Sequence, residues 1–432
     1  MRKILFICLL SLLSLSSARL CAQQLRITHL WSHTDLSFDL NRLYNYNIYE
    51  NNRWGAGLIL STPLHYDTRY GTLFQNRFEA SVYAGWGSGD HAWKYGVETS
   101  LVFPRNVFRE ITVGYHHDIE KVGAHSFQPY NLLNTFENST YFSSRYSFVD
   151  KVFGGVSLDP DGPSKVSLSY SHSAEKLLFN NTGLIYPSIY PEEALRPRDF
   201  DEMDIQLRWG DYWIVDLLAG VSHLRHTQDE SHGHLRAFMQ YGRTFKIGKK
   251  AHRLSFLGQA GSTSGDATPI ARRFDISGTG GSIYFFRNTL LTVRPNSFMA
   301  DTYIEACAHF VTGKPLWDNA ISSPKPFLQL NAVWGTLHQN GKLRGSVVLD
   351  MQQGSQASAA TDHDMMLALI APDKGLMEAA AGFEGLIHWG VLDIGAAAAY
   401  QFTPKKSLYY QDNFFNKFAV MFIATLVLDT ES

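Results

Sequence analysis

The chain has 432 residues, 38 basic against 40 acidic side chains, and a mean hydropathy of −0.16. That charge balance argues against a nucleic-acid binder, which needs a basic face. After the N-terminus the longest apolar stretch runs from Phe418 to Leu428 and already contains Thr425, which excludes a helical membrane protein. A β-barrel remains open, because its polar interior averages the hydropathy signal away.

At the N-terminus, Arg2 and Lys3 precede the apolar run Ile4 to Leu15, with small or polar residues through Ser17 and Ala18. This reads as a signal peptide over residues 1–22, cut after Ala22 and exported through the Sec pathway, although Leu20 fills the minus-three position. Cys21 invites a lipoprotein reading, but Leu20 before it is larger than a lipobox accepts, so simple cleavage is preferred. Removal of the leader leaves 35 basic residues against 40 acidic, net −5, and Cys307 as the one cysteine. The mature fold then has no intramolecular disulfide. Residues 23–49 are read as an N-terminal extension, either periplasmic or a plug segment.

From residue 50 to 432 no composition break divides the chain, and apolar and polar residues alternate. Phe78, Ala80, Val82, Ala84 and Trp86 enclose Glu79, Ser81, Tyr83 and Gly85. Met203, Ile205, Leu207 and Trp209 enclose Asp204, Gln206 and Arg208. A strand turns successive side chains to opposite faces, so each segment has one apolar and one polar face.

Predicted strands in chain order are Trp54–Thr62, Phe78–Gly87, Trp93–Phe103, Glu110–Asp118, Tyr141–Leu158 (one long strand or a hairpin) and Lys165–His172. Met203–Trp209, Trp213–Leu224, Leu235–Phe245, Arg253–Gly261, Tyr303–Thr312, Phe327–Gly335 and Leu343–Met351 follow. Leu376–Ile387, Val391–Phe402 and Phe418–Leu428 close the chain. Most have the length a tilted strand needs to cross a bilayer, roughly ten residues.

Gly87–Ala92, Asp159–Ser164 and Gly210–Tyr212 are tight turns, whereas 121–140, 173–201 and 262–301 are long connections. Short turns at one end and long loops at the other are the habit of outer-membrane barrels. Trp54, Trp86, Trp93, Trp209, Trp213, Trp334, Tyr400 and Phe402 sit at strand ends, as two aromatic girdles would place them. The fold class is therefore all-β, a transmembrane antiparallel β-barrel of roughly 16 strands, or 14 if the ambiguous segments Tyr141–Leu158 and Leu343–Met351 are counted otherwise. The C-terminus, Leu428 followed by Asp-Thr-Glu-Ser, departs from the terminal aromatic of many such barrels.

With apolar faces toward lipid, Glu79, Lys94, Glu98, Asp118, Asp204, Arg208, Arg253, Glu305, His309, Glu378, Glu384 and Asp393 point into the lumen. A charge on the lipid face costs roughly 2–4 kcal/mol at the midplane, which fixes that direction. Their mixed signs suit a salt-bridged, plugged interior at least as well as an open pore. Segment 262–301 is the natural plug; the alternative is a loop on the cell surface.

Catalytic and metal motifs are weak. Gly261-Ser-Thr-Ser-Gly265 has Thr263 where a nucleophile elbow needs Ser. His116-His117-Asp118 ends a strand with His116 and Asp118 on one face and reads as polar barrel mouth. His223, His226, His232 and His234 around Asp229 and Glu230 match no closed metal-site spacing. Asp159, Asp161 and Gly162 lack the ligand ladder of a calcium loop. No catalytic residue, metal or cofactor is assigned, and the chain is read as non-enzymatic.

The stretch 253–402 resembles the C-terminal half of a BamA-type outer-membrane barrel. The likeness rests on the strand Leu254–Gly261, the loop bearing Arg272-Arg273-Phe274-Asp-Ile-Ser-Gly278 with Gly280 and Gly281, and residues 296–303. The strand ending Ala308-His-Phe, Lys325-Pro326, and the strands of Glu378–Gly385 and Asp393 continue it. Trp93-Lys-Tyr-Gly and Tyr115-His-His-Asp resemble an uncharacterised branch that carries a carboxypeptidase-regulatory-like domain before the barrel. That domain and the POTRA modules of BamA-type proteins have no room here. The superfamily's lumen-loop signature, Val-Arg-Gly and an aromatic, is missing, since Val293-Arg294 is followed by Pro295. The resemblance implies that Arg272 or Arg273 pairs with inward carboxylates, and that Phe274, Gly278, Gly280 and Gly281 shape the loop. It further implies residence in the outer membrane among lipid and lipopolysaccharide, with a periplasmic or lipoprotein partner. The leading reading is a structural or translocation and biogenesis barrel; a porin-like diffusion channel is the alternative, and an outer-membrane hydrolase the third.

Overall fold

The structure is a computed structural model. It describes residues 24–29, 33–39, 42–47, 50–65, 75–104, 106–122, 146–159, 164–178, 197–210, 212–225, 231–249, 251–265, 268–276, 278, 285, 287, 289–293, 298–339, 342–344, 346–348, 368–389, 392–403 and 417–426. The leader 1–22, with Cys21 and the cut after Ala22, lies outside the described residues, as do Gly280 and Gly281.

The first strands are β1 (Gln24–His29), β2 (Asp35–Asp39), β3 (Tyr44–Asn47), β4 (Asn51–Pro63), β5 (Arg77–Gly87), β6 (Trp93–Val102), β7 (Phe108–Lys121) and β8 (Tyr146–Leu158). Next come β9 (Ser164–Leu178), β10 (Arg198–Trp209), β11 (Trp213–Leu224), β12 (Ser231–Ile247) and β13 (His252–Thr263). The connection after β13 holds the short β14 (Phe274–Ile276) and β15 (Phe298–Ala300) before β16 (Thr302–Val311) and β17 (Lys325–Gln339). Short β18 (Lys342–Arg344), β19 (Ser346–Val348) and β20 (Ala368–Ile370) precede β21 (Leu376–Trp389), β22 (Leu392–Gln401) and β23 (Phe418–Leu426).

With β2 and β3 taken as one interrupted strand, the described residues form a wall of sixteen antiparallel strands from β2 to β23, each paired with its neighbour in the chain; β1 adds a short edge. Among the described residues β1 and β23 are the ends of this sheet and do not pair. The expected all-β antiparallel barrel fold is what the chain forms.

The two faces are as the alternation requires. On β10, Met203, Ile205, Leu207 and Trp209 are exposed while Glu202 and Asp204 are buried. On β17, Leu328 and Leu330 are exposed, and Gln329 and Asn331 between them are buried. The wall is thus inverted relative to a soluble sandwich, apolar outside and polar inside. Trp54, Trp86 and Trp93 stand in register across β4, β5 and β6 at the end carrying the long loops, and Trp209 opposes Trp213 at the other end.

Three sequence expectations change. Segment 23–49, expected as an extension or plug, supplies β1, β2 and β3: Phe38 pairs with Leu58 and Tyr44 with Trp54. Its alternation is short and interrupted near residue 40, which hid it. Among its described residues, Leu343–Met351 contributes no wall strand. Its described part splits into β18, which folds back on the end of β17, and β19, which pairs with β20, while β17 pairs directly with β21. Loop lengths also sort less cleanly. The tight 88–92 turn lies at the long-loop end, and the longer 64–76 and 312–324 connections lie at the short-turn end. Tyr141–Leu158 is a single strand over its described part.

Candidate functional site

The connection between β13 and β16 runs back along the inner face of the wall. Phe274–Ile276 and Phe298–Ala300 zip into a two-stranded ribbon, which satisfies backbone groups that burial would otherwise orphan. Its side chains pack on Phe238, Tyr303, Val333, Leu337 and Leu376, so the inner face is apolar where the ribbon lands. The same connection reaches Glu175 on β9 and the carbonyl of Phe422 on β23, so the wall bends around it.

Arg272 ends a single 3-10 turn, Ile270–Arg272. Its Nη1 donates to Glu175 Oε2 at 3.0 Å and its Nη2 to Glu202 Oε2 at 2.8 Å. Arg272 Cζ lies 4.0 Å from the centre of the Phe200 ring. Glu175, Phe200 and Glu202 share the inner face of β9 and β10, so one Arg fork spans both carboxylates. His234 Nε2 lies 2.8 Å from Glu202 Oε1, and Ser173 donates to Glu175 at 3.1 Å. Burial alone would depress the guanidinium pKa; the two carboxylates outweigh it and hold it well above its ordinary value.

Arg273 turns the other way. Its Nε lies 3.3 Å from Asp301 Oδ1 at the neck where the connection rejoins β16. Asp301 also accepts the His338 N–H at 2.7 Å, and its own N–H donates to Thr336 at 2.8 Å. Burial pushes the Asp301 carboxyl above the usual carboxylate range, against the opposing pull of Arg273. From the wall, Arg236 stacks over Phe274 at 4.8 Å.

The second half of the connection is held by β17, β21 and β22. Glu378 accepts the N–H groups of Leu291 (2.5 Å) and Thr292 (2.9 Å), and Asn331 Nδ2 donates to it at 2.7 Å. Arg287 pairs with Glu384. Phe285 packs on Phe327, with ring centres 5.0 Å apart, and its N–H donates to Phe422 O at 2.8 Å. Gly278 is where the two halves cross: a Cβ there would stand 2.2 Å from the Leu290 carbonyl oxygen.

The predicted lumen residues divide by position. Glu378 and Glu384 hold the connection. Lys94 is fully buried against Glu50 (2.8 Å) and Asp90, and Asp118 takes Arg53 at 2.6 Å and Tyr83 at 2.8 Å, forming a separate ionic cluster on β4 to β7. Glu79 pairs with Arg77, and Asp204 accepts from Gln206 at 2.8 Å. Glu305 is buried opposite Gln259, and His309 Nδ1 lies 3.1 Å from Gln329. Glu98, Arg208 and Arg253 keep the inner register. Of the His-rich hairpin, His234 points inward to Glu202 and His223 meets Ser231, while 226–230 lie outside the described residues. His117 and Asp118 diverge as predicted, His117 meeting Asp150 on the outer face. Sequence reasoning missed Glu175 and Glu202, the partners of Arg272, although their alternation on β9 and β10 carried the signal. It also missed a chain of Ser323, His388 and Asp393, whose members the fold alone brings together.

No protein-family model matches the chain, and no curated protein does. Among solved structures it is similar to BamA from Haemophilus ducreyi lacking POTRA domains 1-3, with TM-score 0.46 and 9% identity over 96% of this chain and 78% of that one. It is also similar to CdiB from Escherichia coli, with TM-score 0.41 and 9% identity over 92% of this chain. CdiB from Acinetobacter baumannii gives 0.37 and 8% over 86%. The chain spans 63% and 56% of those two CdiB chains. At such scores and identities the likeness says nothing about activity.

Proposed function

We propose that this chain is an outer-membrane β-barrel of BamA-like type, serving translocation or envelope biogenesis and needing no catalytic step for that work. The observation that carries the reading is the loop after β13, latched inside the wall by Arg272 on one side and Glu378 on the other. A passive channel needs an open lumen, and a segment held on both sides by buried charges opposes one. The outward apolar face supports immersion in lipid, since water would leave that surface unsatisfied. Export through Sec with cleavage near Ala22, lipopolysaccharide contact at the outer leaflet, and a periplasmic or lipoprotein partner supplying client recognition complete the proposal.

Two measurements test it. In planar bilayers the purified protein is expected to be nearly silent, and steady ohmic conductance would favour a diffusion channel instead. In cells, deletion is expected to lower the amount of specific outer-membrane or secreted proteins. Unchanged envelope and secreted proteomes would remove the biogenesis reading.

A further inference from the structure

We propose that Ser323 is a nucleophile activated by His388 and positioned by Asp393, acting on carboxylic esters at the short-turn mouth of the barrel. Ser323 Oγ lies 2.7 Å from His388 Nε2, and His388 Nδ1 lies 2.5 Å from Asp393 Oδ1. With Nδ1–H held by the carboxylate, Nε2 is left as the acceptor facing the hydroxyl. Such a triad is recognised by geometry and roles rather than by chain order.

The fold builds this arrangement from three segments. His388 and Asp393 are directly opposed across β21 and β22, so both face the same side, and Asp393 keeps the inward register of Gly395 and Ala397. The β21–β22 register breaks between Phe383 and Ile387, where Gly385 adopts a left-handed φ of 66°. Connection 312–324 docks on that bulge: the Ser323 N–H donates to Gly385 O at 2.9 Å, and the His388 N–H to Ile321 O at 2.7 Å. Asn319 Oδ1 accepts the N–H groups of Ile321 (2.9 Å) and Ser322 (2.8 Å), which fixes the turn presenting Ser323. The His388 and Asp393 side chains keep 23% and 27% of their exposure, so the triad is held yet open to a substrate.

In the reaction Ser323 Oγ bonds to the ester carbonyl carbon as its proton passes to His388 Nε2. The C–O bond to the alcohol breaks, and the leaving alkoxide takes the proton from His388. Water then attacks the acyl-serine, giving its proton to His388, and Ser323 leaves reprotonated with release of the acid. This activity is independent of the plugged-barrel reading, and its failure would leave that reading intact.

The test is covalent labelling of the folded full-length protein in detergent with a fluorophosphonate probe, where the Ser323 Oγ–P bond forms, the P–F bond breaks and fluoride leaves. Peptide mapping is expected to place the label on Ser323. Ser323→Ala should abolish labelling and His388→Ala should slow it by roughly 100-fold or more. Ser322→Ala should label normally, and unchanged heat-modifiable migration shows each variant folded. For the positioning residue, Asp393→Asn should lower turnover of a p-nitrophenyl ester at unchanged KM, with Asp393→Glu restoring part. An unlabelled wild-type protein, or label that persists in Ser323→Ala, overturns the proposal.

Discussion

Thr292 gives both its N–H (2.9 Å) and its hydroxyl (2.5 Å) to one carboxylate oxygen of Glu378, making a wall residue on β21 the anchor of a loop that leaves the wall at β13. Glu378 is 1% exposed, so each of these bonds is charge-assisted and shielded from water. Glu378→Gln keeps the shape but offers one acceptor oxygen and sets an NH2 against the remaining donors. A loss of about 1–3 kcal/mol in local stability follows. Limited proteolysis should then cut within 264–301 faster than in the wild type, with the barrel's heat-modifiable migration unchanged. Equal cutting rates would show that Glu378 does not secure the loop.

Removing Arg272 should cost more, because it leaves Glu175 and Glu202 buried and facing one another. Breaking a buried ionic group by deleting one partner typically costs about 3–5 kcal/mol, whereas replacing the whole group by neutral residues is often near neutral. Arg272→Ala is therefore expected to melt well below the wild type and to conduct in planar bilayers. The triple variant Arg272→Met, Glu175→Gln, Glu202→Gln should regain most of the stability. A triple variant no better than Arg272→Ala would locate the loss in Arg272's packing on Phe200 instead.

The wall was legible in the sequence because its signal is local: the period of two on β5, β10 and β16 needs only neighbouring residues. In the β1–β3 segment and in the described part of 343–351 the strands are too short for the period to show. The inward direction of Glu378 and Glu384 could be read from alternation, but their partners in the loop could not, since 97 positions separate Arg287 from Glu384. The same holds for Ser323 and His388, 65 residues apart and brought together where connection 312–324 meets the bulge at Gly385. Arg272 and Arg273 are adjacent in the sequence, yet they serve opposite ends of the loop, a difference that depends on the turn at 270–272.

Gly278 offers a backbone test of the same loop. A methyl group there would meet the carbonyl oxygens of Leu290 at 2.2 Å and Val293 at 2.6 Å, both backbone atoms that cannot swing aside. Gly278→Ala should therefore push the two halves of the loop apart, costing about 1–3 kcal/mol as overpacking does. Hydrogen exchange should rise at Leu291 and Thr292, whose N–H groups depend on that closeness, while the amides of β4 to β7 stay protected. Unchanged exchange at Leu291 would mean that the crossing is looser than its geometry implies.

The outward face makes the last prediction. Leu330 lies in the middle of β17, 50% exposed, with Gln329 and Asn331 on either side turned inward and buried. If that face meets hydrocarbon, Leu330→Arg places a charge near the bilayer midplane and should destabilise the folded protein by about 2–4 kcal/mol. Leu330→Phe, apolar at the same position, should fold like the wild type. Urea titrations of refolding into phospholipid vesicles would measure both. The comparison separates lipid from water, because an arginine on a solvent-exposed strand face is normally worth within about 0.5 kcal/mol of the original residue. A neutral result for Leu330→Arg would place this face in water and end the membrane reading of the whole wall.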